Sequence, residues 1–108
     1  MRYSLLFLAP AAVFGQTFFN GGDPATGPLC CNQGTADDSG TCKNMTLNAY
    51  ACESTVKNNE GKGCDNEALE LVPIGRDVKG FVAGSSQLVT LGPDSKNRFI
   101  AAFIGCAA

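Results

Sequence analysis

The sequence contains no histidine and no tryptophan, and only 17% of its 108 residues are charged. Without histidine, the usual general base near neutral pH is missing, and neither a Ser-His-Asp triad nor a Cys-His pair can form. No basic run is present and the formal net charge is −2, so nucleic acid and anionic membrane surfaces are poor partners. These absences favour a protein that binds partners over one that catalyses a reaction.

Motifs for metals and cofactors are missing as well. The cysteines show no C-x-x-C spacing, and no histidine can complete a zinc site. Asp37-Asp38 lacks the alternating oxygen ligands of a calcium loop. Gly61-Lys62-Gly63 lacks the strand-to-helix context of a phosphate-binding loop. We therefore expect neither a metal nor a cofactor.

Carboxylates are the one catalytic option that remains, because two of them suffice for glycoside cleavage. The carboxylates nearest to predicted ordered structure are Glu53, Asp65, Glu67 and Glu70. Nothing in their spacing selects a pair, and charged residues of this kind usually form a solvated face. We therefore predict that the protein is not an enzyme.

The N-terminus has the features of an export signal. Arg2 supplies a basic start, an apolar run extends from Leu5 to Phe14, and the small residue Gly15 follows. This pattern is typical of a secretory signal peptide and is too short for a membrane span. The predicted organisation is a signal peptide over 1–15, a flexible arm over 16–28 and a single disulfide-stapled domain over 29–108, secreted to the extracellular space.

All the cysteines fall after the predicted signal peptide: Cys30, Cys31, Cys42, Cys52, Cys64 and Cys106. An even number in a short exported chain implies a disulfide framework. Adjacent cysteines in an extended chain point to opposite faces, so the Cys30-Cys31 doublet should connect its strand to two different elements. Spacing does not choose among the pairings. Our working hypothesis joins one doublet cysteine to Cys52 and the other to Cys106.

One segment has helical periodicity. Met45, Ala49, Cys52 and Val56 recur at intervals of four, three and four residues, which predicts an amphipathic helix over 45–58. Further along the chain, short apolar runs alternate with turn signals and predict strands at Leu69–Ile74, Val78–Ala83, Gln87–Leu91 and Arg98–Gly105.

The predicted fold class is therefore α+β, with the one main helix packed on an antiparallel meander of about four or five short strands. The strand over 98–105 is apolar on both faces, which predicts a central position in the sheet. A mainly β sandwich or barrel is the alternative.

Two surface features are candidate sites. Phe18 and Phe19 in the predicted arm either pack against the domain or remain available to a partner, and we take them as candidate partner-binding residues. Asn44-Met45-Thr46 is an acceptor sequence for N-glycosylation in an exported chain.

The C-terminus allows two readings. One interpretation is a minimal lipid-anchor signal, which would consist of the small residues Gly84-Ser85-Ser86, a polar spacer and the apolar tail Phe99–Ala108. Cleavage there would remove Cys106 and leave an odd number of cysteines. We therefore favour a core strand for the tail.

The export signal, the short chain, the cysteine doublet and the missing catalytic set together resemble the small secreted cysteine-rich proteins of filamentous fungi, many of which are effectors delivered to a host. This resemblance implies action by binding: masking, inhibiting or being recognised by host proteins in the apoplast or inside host cells. One helix followed by several strands is also similar to the α/β sandwich of killer-toxin-like effectors.

The triplet Cys30-Cys31-Asn32 is similar to a doublet found in hydrophobins. Hydrophobins carry a cysteine ahead of this doublet and a second doublet later, whereas Cys30 is the first cysteine here and Cys64 stands alone. The functional expectation is a monomeric, secreted, non-enzymatic protein that binds an unidentified host protein as a virulence effector. A surface-active hydrophobin-like protein and an antimicrobial or killer toxin are the alternatives.

Overall fold

A computed structural model describes residues 15–55, 63–64 and 70–108. The predicted signal peptide, except for Gly15, lies outside these residues. The same holds for residues 56–58 of the predicted helix, for Asp65 and Glu67 among the candidate carboxylates, and for Leu69 at the start of a predicted strand.

The described residues form one mixed sheet of seven strands and a single helical turn. The elements are β1 (Thr17–Asn20), β2 (Gly27–Cys31), α1 (Thr41–Asn44), β3 (Asn48–Glu53), β4 (Ile74–Val78), β5 (Gly80–Phe81), β6 (Val89–Leu91) and β7 (Arg98–Ala107). The α+β prediction is therefore wrong, because the described part of the chain is mostly β and its helix α1 is only four residues long.

The long strand β7 organises the sheet. Its first half pairs in parallel with β1 and in antiparallel with β6, and its second half pairs in antiparallel with β3 and β5. Most of its residues are buried, as the apolar pattern on both faces of this strand predicted. The predicted meander is wrong, since β5 and β6 both pair with β7 and β4 pairs with β2.

The hydrogen-bonded path through the sheet returns to its starting strand. It runs from β7 through β3 and β2 to β4, and β5, which follows β4 after one residue, pairs with β7 again. The Lys79 N–H, between β4 and β5, donates to the carbonyl of Cys106 (2.8 Å). The largest core cluster consists of side chains from these strands: Leu29, Cys31, Tyr50, Cys52, Val78, Phe103 and Ala107.

The predicted helix over 45–58 is wrong where the structure describes it, because Asn48–Glu53 is strand β3. This strand lies between β2 and β7, and residues 50–53 are buried on both faces. Apolar residues are therefore needed on both faces of the strand. Their spacing in the sequence then resembles the spacing of an amphipathic helix. The helix α1 ends at Asn44 and is followed by the cap residue Met45, and the next residue, Thr46, has a left-handed backbone (φ 61°).

Three disulfides cross-link the domain: Cys30–Cys64, Cys31–Cys52 and Cys42–Cys106. The doublet does connect β2 to two different elements, the segment at Cys64 and strand β3. Our pairing hypothesis is correct for Cys52 and wrong for Cys106, which joins Cys42 in α1. Three disulfides indicate that the protein matures in an oxidising compartment.

The disulfide Cys31–Cys52 lies in the largest core cluster, and each of the other two disulfides lies in a smaller hydrophobic cluster. Cys42 and Cys106 pack with Val82 and Ile104, and Cys30 and Cys64 pack with Val72. No helix in the described part of the chain has the length and apolar character needed to cross a membrane.

Candidate functional site

Two phenylalanines stack on the outer side of the sheet. Parallel pairing places Phe18 of β1 beside Phe99 of β7, and their ring centroids lie 4.8 Å apart with an interplanar angle of 15°. Phe18 is 65% exposed, the largest exposed fraction among the large hydrophobic residues that the structure describes. An offset aromatic stack of this kind fixes both rings and presents a flat apolar surface to solvent.

The stack belongs to a larger exposed surface, which we call the aromatic face: Phe18, Asn20, Thr90, Phe99 and Ala101. The register places Asn20 and Thr90 on either side of Ala101, and side chains alternate between the faces of a strand. Asn20 and Thr90 are exposed, while Ala101 and Phe99 are partly buried. The aromatic face therefore combines a flat apolar centre with two polar side chains that can form hydrogen bonds.

Phe19 lies on the opposite side of the sheet, next to Ile100. Ile100 is 4% exposed, whereas Phe19 is 36% exposed. The two adjacent phenylalanines of the predicted arm therefore differ in environment, because strand β1 turns their side chains to opposite faces. The arm is in part regular structure, and its irregular portion begins after Asn20.

The loop between β6 and β7 contacts Phe99 of the stack. Gly92 has a left-handed backbone (φ 127°), and a Cβ atom there would lie 2.8 Å from the Phe99 ring. A side chain at this position would therefore displace the ring as well as strain the backbone.

Asp94 holds the rest of this loop. Its Oδ1 accepts hydrogen bonds from the N–H groups of Lys96 and Arg98 (2.9 Å each), and its Oδ2 accepts one from Nε of Arg98 (2.7 Å). Burial acts to raise the pKa of Asp94, but these hydrogen bonds and the Arg98 charge together outweigh it and lower the pKa below its ordinary value. The carboxylate is therefore charged at neutral pH and fixes the start of β7.

Glu70 connects the loop to the preceding segment. Its carboxylate oxygens accept hydrogen bonds from the N–H (2.9 Å) and the hydroxyl (3.0 Å) of Ser95. The Glu70 Oε2 also lies 3.6 Å from an Arg98 guanidinium nitrogen. Among the four candidate carboxylates, Glu70 thus bonds to the loop that supports the aromatic face.

The other described carboxylate of that set, Glu53, is fully buried at the end of β3. Its Oε1 accepts hydrogen bonds from the N–H and the hydroxyl of Thr55, each at 3.0 Å. Within residues 15–55, 63–64 and 70–108, no group of three His, Cys, Asp or Glu residues lies together in a way that could hold a metal ion.

The predicted glycosylation acceptor lies at the C-terminal end of α1. Asn44 and Thr46 are both exposed. Asp37 stabilises the start of the same turn, because its carboxylate accepts hydrogen bonds from the Ser39 hydroxyl and N–H and from the Cys42 N–H. The Ser39 hydroxyl is the main cause of a pKa for Asp37 below its ordinary value.

Sequence reasoning missed Phe99 as a site residue, because it treated the whole last strand as core. The sequence shows Phe18-Phe19 near one end of the chain and Phe99 near the other, but only the parallel pairing of β1 with β7 brings Phe18 and Phe99 together. It also missed the Arg76 guanidinium, which lies 3.6 Å from the centroid of the Tyr50 ring. Both contacts join residues far apart in the chain.

In the comparison with protein families, the model of DUF6413, a family of unknown function, matches residues 24–107. The match includes β2 to β7 and all the disulfides and begins after β1. Phe18 and Asn20 of the aromatic face therefore lie outside the matched range, and Thr90, Phe99 and Ala101 lie inside it. No curated protein and no solved structure matches the chain.

Proposed function

The chain belongs to the DUF6413 family, whose function is unknown, and we propose that it is a secreted, non-enzymatic protein that binds a host component and acts as a fungal virulence effector. The observation that carries this proposal is the exposed stack of Phe18 on Phe99 in the aromatic face. The export signal in the sequence and the oxidised framework support secretion.

The aromatic face has the composition of a protein-binding surface. Aromatic residues are enriched at interfaces, and those that contribute most to binding energy lie in rigid, well-packed positions. The Phe18 ring is held by Phe99, and Phe99 is in turn held by the Gly92 and Asp94 loop. The face therefore loses little conformational entropy when a partner covers it.

The experiment compares the oxidised protein with two variants. Phe18→Ala removes the exposed ring of the stack, and Phe81→Ala removes a phenylalanine that is 38% exposed on β5, at the other end of β7. Each protein is infiltrated into host tissue, and the defence response is recorded. Partners are captured from the same tissue by cross-linking.

We expect the wild-type protein and Phe81→Ala to alter the defence response and to capture the same partner, while Phe18→Ala does neither. A Phe18→Ala protein that keeps both activities would show that the aromatic face is not the binding site. No response to the wild-type protein across compatible hosts would contradict the effector function itself.

A further inference from the structure

Asn20 is the only asparagine in the sequence that a glycine follows. The main-chain nitrogen of the next residue can attack the side-chain amide of an asparagine, and glycine leaves this approach open because it has no Cβ atom. Asn20 ends strand β1 and is exposed in the aromatic face, whereas Gly21 is buried. The amide that would react is thus open to water, while the attacking nitrogen lies inside the fold.

Glycine is required at both positions after Asn20. A Cβ atom on Gly21 would overlap the carbonyl oxygen of Ala101 in β7. Gly22 has a left-handed backbone (φ 86°), and a Cβ atom there would lie 2.6 Å from the Ser54 hydroxyl oxygen. A bulkier residue at Gly21 would slow the attack on Asn20, but it would also disturb the contact between β1 and β7.

The Gly22 N–H activates the Asn20 side chain for this attack. It donates a hydrogen bond to Oδ1 of Asn20 (2.8 Å). A donor at this oxygen makes Cγ more electrophilic and stabilises the negative charge that forms on the oxygen during the attack. The hydrogen bond joins residues two positions apart, so it does not require β7.

The fold holds back the attacking nitrogen. The Gly21 N–H donates a hydrogen bond to the Ala101 carbonyl (2.7 Å), and the Gly21 carbonyl accepts one from the Ser54 N–H (2.7 Å). Gly21 is therefore fixed between β7 and the residues that follow β3. Its nitrogen must lose a proton and turn toward Cγ of Asn20 before it can react, and the hydrogen bond to Ala101 opposes both steps.

We propose that Asn20 is a site of spontaneous deamidation and that the docking of β1 on β7 controls its rate. When the end of β1 detaches, hydroxide takes the proton of the Gly21 nitrogen, which then forms a bond to Cγ of Asn20. The Cγ–Nδ2 bond breaks, and ammonia leaves with a proton from water, which regenerates hydroxide. Water opens the resulting five-membered imide at Cγ to give aspartate, or at the main-chain carbonyl carbon to give isoaspartate.

Both products change the aromatic face. Each adds a carboxylate at the position of a neutral amide, beside Ala101. In isoaspartate the main chain also gains one carbon atom, which moves Gly21 out of register with Ala101. The modified end of β1 therefore no longer docks on β7 as before. This proposal concerns the chemistry of the chain itself and does not depend on the proposed effector function.

The first test compares the folded, oxidised protein with the same protein reduced and unfolded in guanidinium chloride, at one mildly alkaline pH. Peptide mass mapping over a time course measures deamidation at each asparagine. In the unfolded chain we expect Asn20 to react faster than the other asparagines, such as Asn48, which alanine follows. In the folded protein we expect Asn20 to react at least about tenfold more slowly, because only molecules with β1 detached can react.

Two outcomes of this test would overturn the proposal. An Asn20 that reacts no faster than Asn48 in the unfolded chain would show that it is not a preferred site. Equal rates at Asn20 in the folded and unfolded protein would show that the fold does not hold back the Gly21 nitrogen.

The second test weakens the docking of β1 in the folded protein. Phe18→Ala removes the stack on Phe99, and we expect it to speed deamidation of Asn20 by about two- to tenfold, which is the contribution of an aromatic pair. Phe81→Ala is the matched control, because Phe81 pairs at the other end of β7 and its loss should leave the rate unchanged. Disulfide mapping confirms that each variant keeps the fold.

Equal rates in Phe18→Ala and the wild-type protein would contradict control by the docking of β1. A third measurement needs no variant. At low concentrations of denaturant, the rate of deamidation at Asn20 in the wild-type protein should rise in parallel with hydrogen exchange at the Gly21 amide, since both require the same opening. A deamidation rate that does not follow this exchange would overturn the proposal, even if Phe18→Ala failed to fold.

Discussion

Cys31 and Cys52 lie directly opposite each other on β2 and β3, and their disulfide joins Cα atoms 4.0 Å apart. The strands that this disulfide connects are also neighbours in the sheet. The Cys42–Cys106 disulfide instead joins the short helix α1 to the end of β7 across a sequence separation of 64 residues. The two cross-links therefore constrain the unfolded chain to different extents.

Removing the longer cross-link should cost more stability. In the chain-entropy description, the Cys42→Ala/Cys106→Ala variant loses about 4 kcal/mol of unfolding free energy, and Cys31→Ala/Cys52→Ala, with a separation of 21 residues, loses about 3 kcal/mol. Urea denaturation of both variants beside the wild-type protein measures the difference. An equal or reversed order would show that local packing around each disulfide outweighs loop length.

Asp94→Asn should destabilise the protein in a way that depends on pH. The folded-state pKa of Asp94 lies below its unfolded value of about 3.9. The stability that its charge contributes is therefore present above about pH 4 and is lost as the pH falls through the folded pKa. We expect the melting temperature of Asp94→Asn to be lower than that of the wild-type protein at pH 7, and the gap to narrow in acid.

Asp77→Asn is the matched control for this measurement. Asp77 forms an ion pair with Lys79 in which both side chains are more than half exposed, and such pairs contribute little. The melting temperature of Asp77→Asn should equal that of the wild-type protein across the pH range. A gap for Asp94→Asn that stays constant down to low pH would mean that the substitution acts through packing and not through charge.

Gly105→Ala should destabilise the core by about 1 to 3 kcal/mol. A Cβ atom at this buried position of β7 would lie 3.0 Å from the Cys52 sulfur and 3.1 Å from a Val78 methyl group. Chemical denaturation measures the loss. Ala101→Gly, at a partly buried position of the same strand, is a control for the general effect of exchanging alanine and glycine in β7, and an unchanged midpoint for Gly105→Ala would show that the core has room at this point.

Asn44 should carry an N-linked glycan when the protein is produced through a eukaryotic secretory pathway. Asn44 and Thr46 are exposed, so the acceptor sequence is accessible. We expect a mass that falls after treatment with an N-glycosidase. Asn44→Gln should lack this mass and keep the melting temperature of the deglycosylated protein, since the side chain is on the surface. An unmodified wild-type protein would contradict the prediction.

Several local features could be predicted from the sequence. The doublet Cys30-Cys31 required two different partners because alternation in a strand is a local property. The strand at the C-terminus could also be recognised, since its apolar residues occupy both faces. The wrong prediction of a helix over 45–58 could not be avoided from the local sequence. The apolar residues of β3 fit the spacing of an amphipathic helix, and they also fit a strand that is buried on both faces.

Only part of the candidate site could be predicted from the sequence. Phe18 and Phe19 stood out as aromatic residues in a polar arm, but their separation onto opposite faces follows from the pairing of β1 with β7. Phe99 became a site residue only through that pairing. The support from Asp94 is local, whereas the support from Glu70 joins residues 25 positions apart.

The amino-acid sequence by itself determined that the cysteines form a disulfide framework and that histidine chemistry is absent, and it predicts the export signal, because each depends on residue identity and short spacing alone. Tertiary structure decided which cysteines pair, that Asn48–Glu53 is a strand, and that Phe18 stacks on Phe99. These features arise from contacts between distant segments, whose free energy exceeds the local preferences that a sequence pattern expresses.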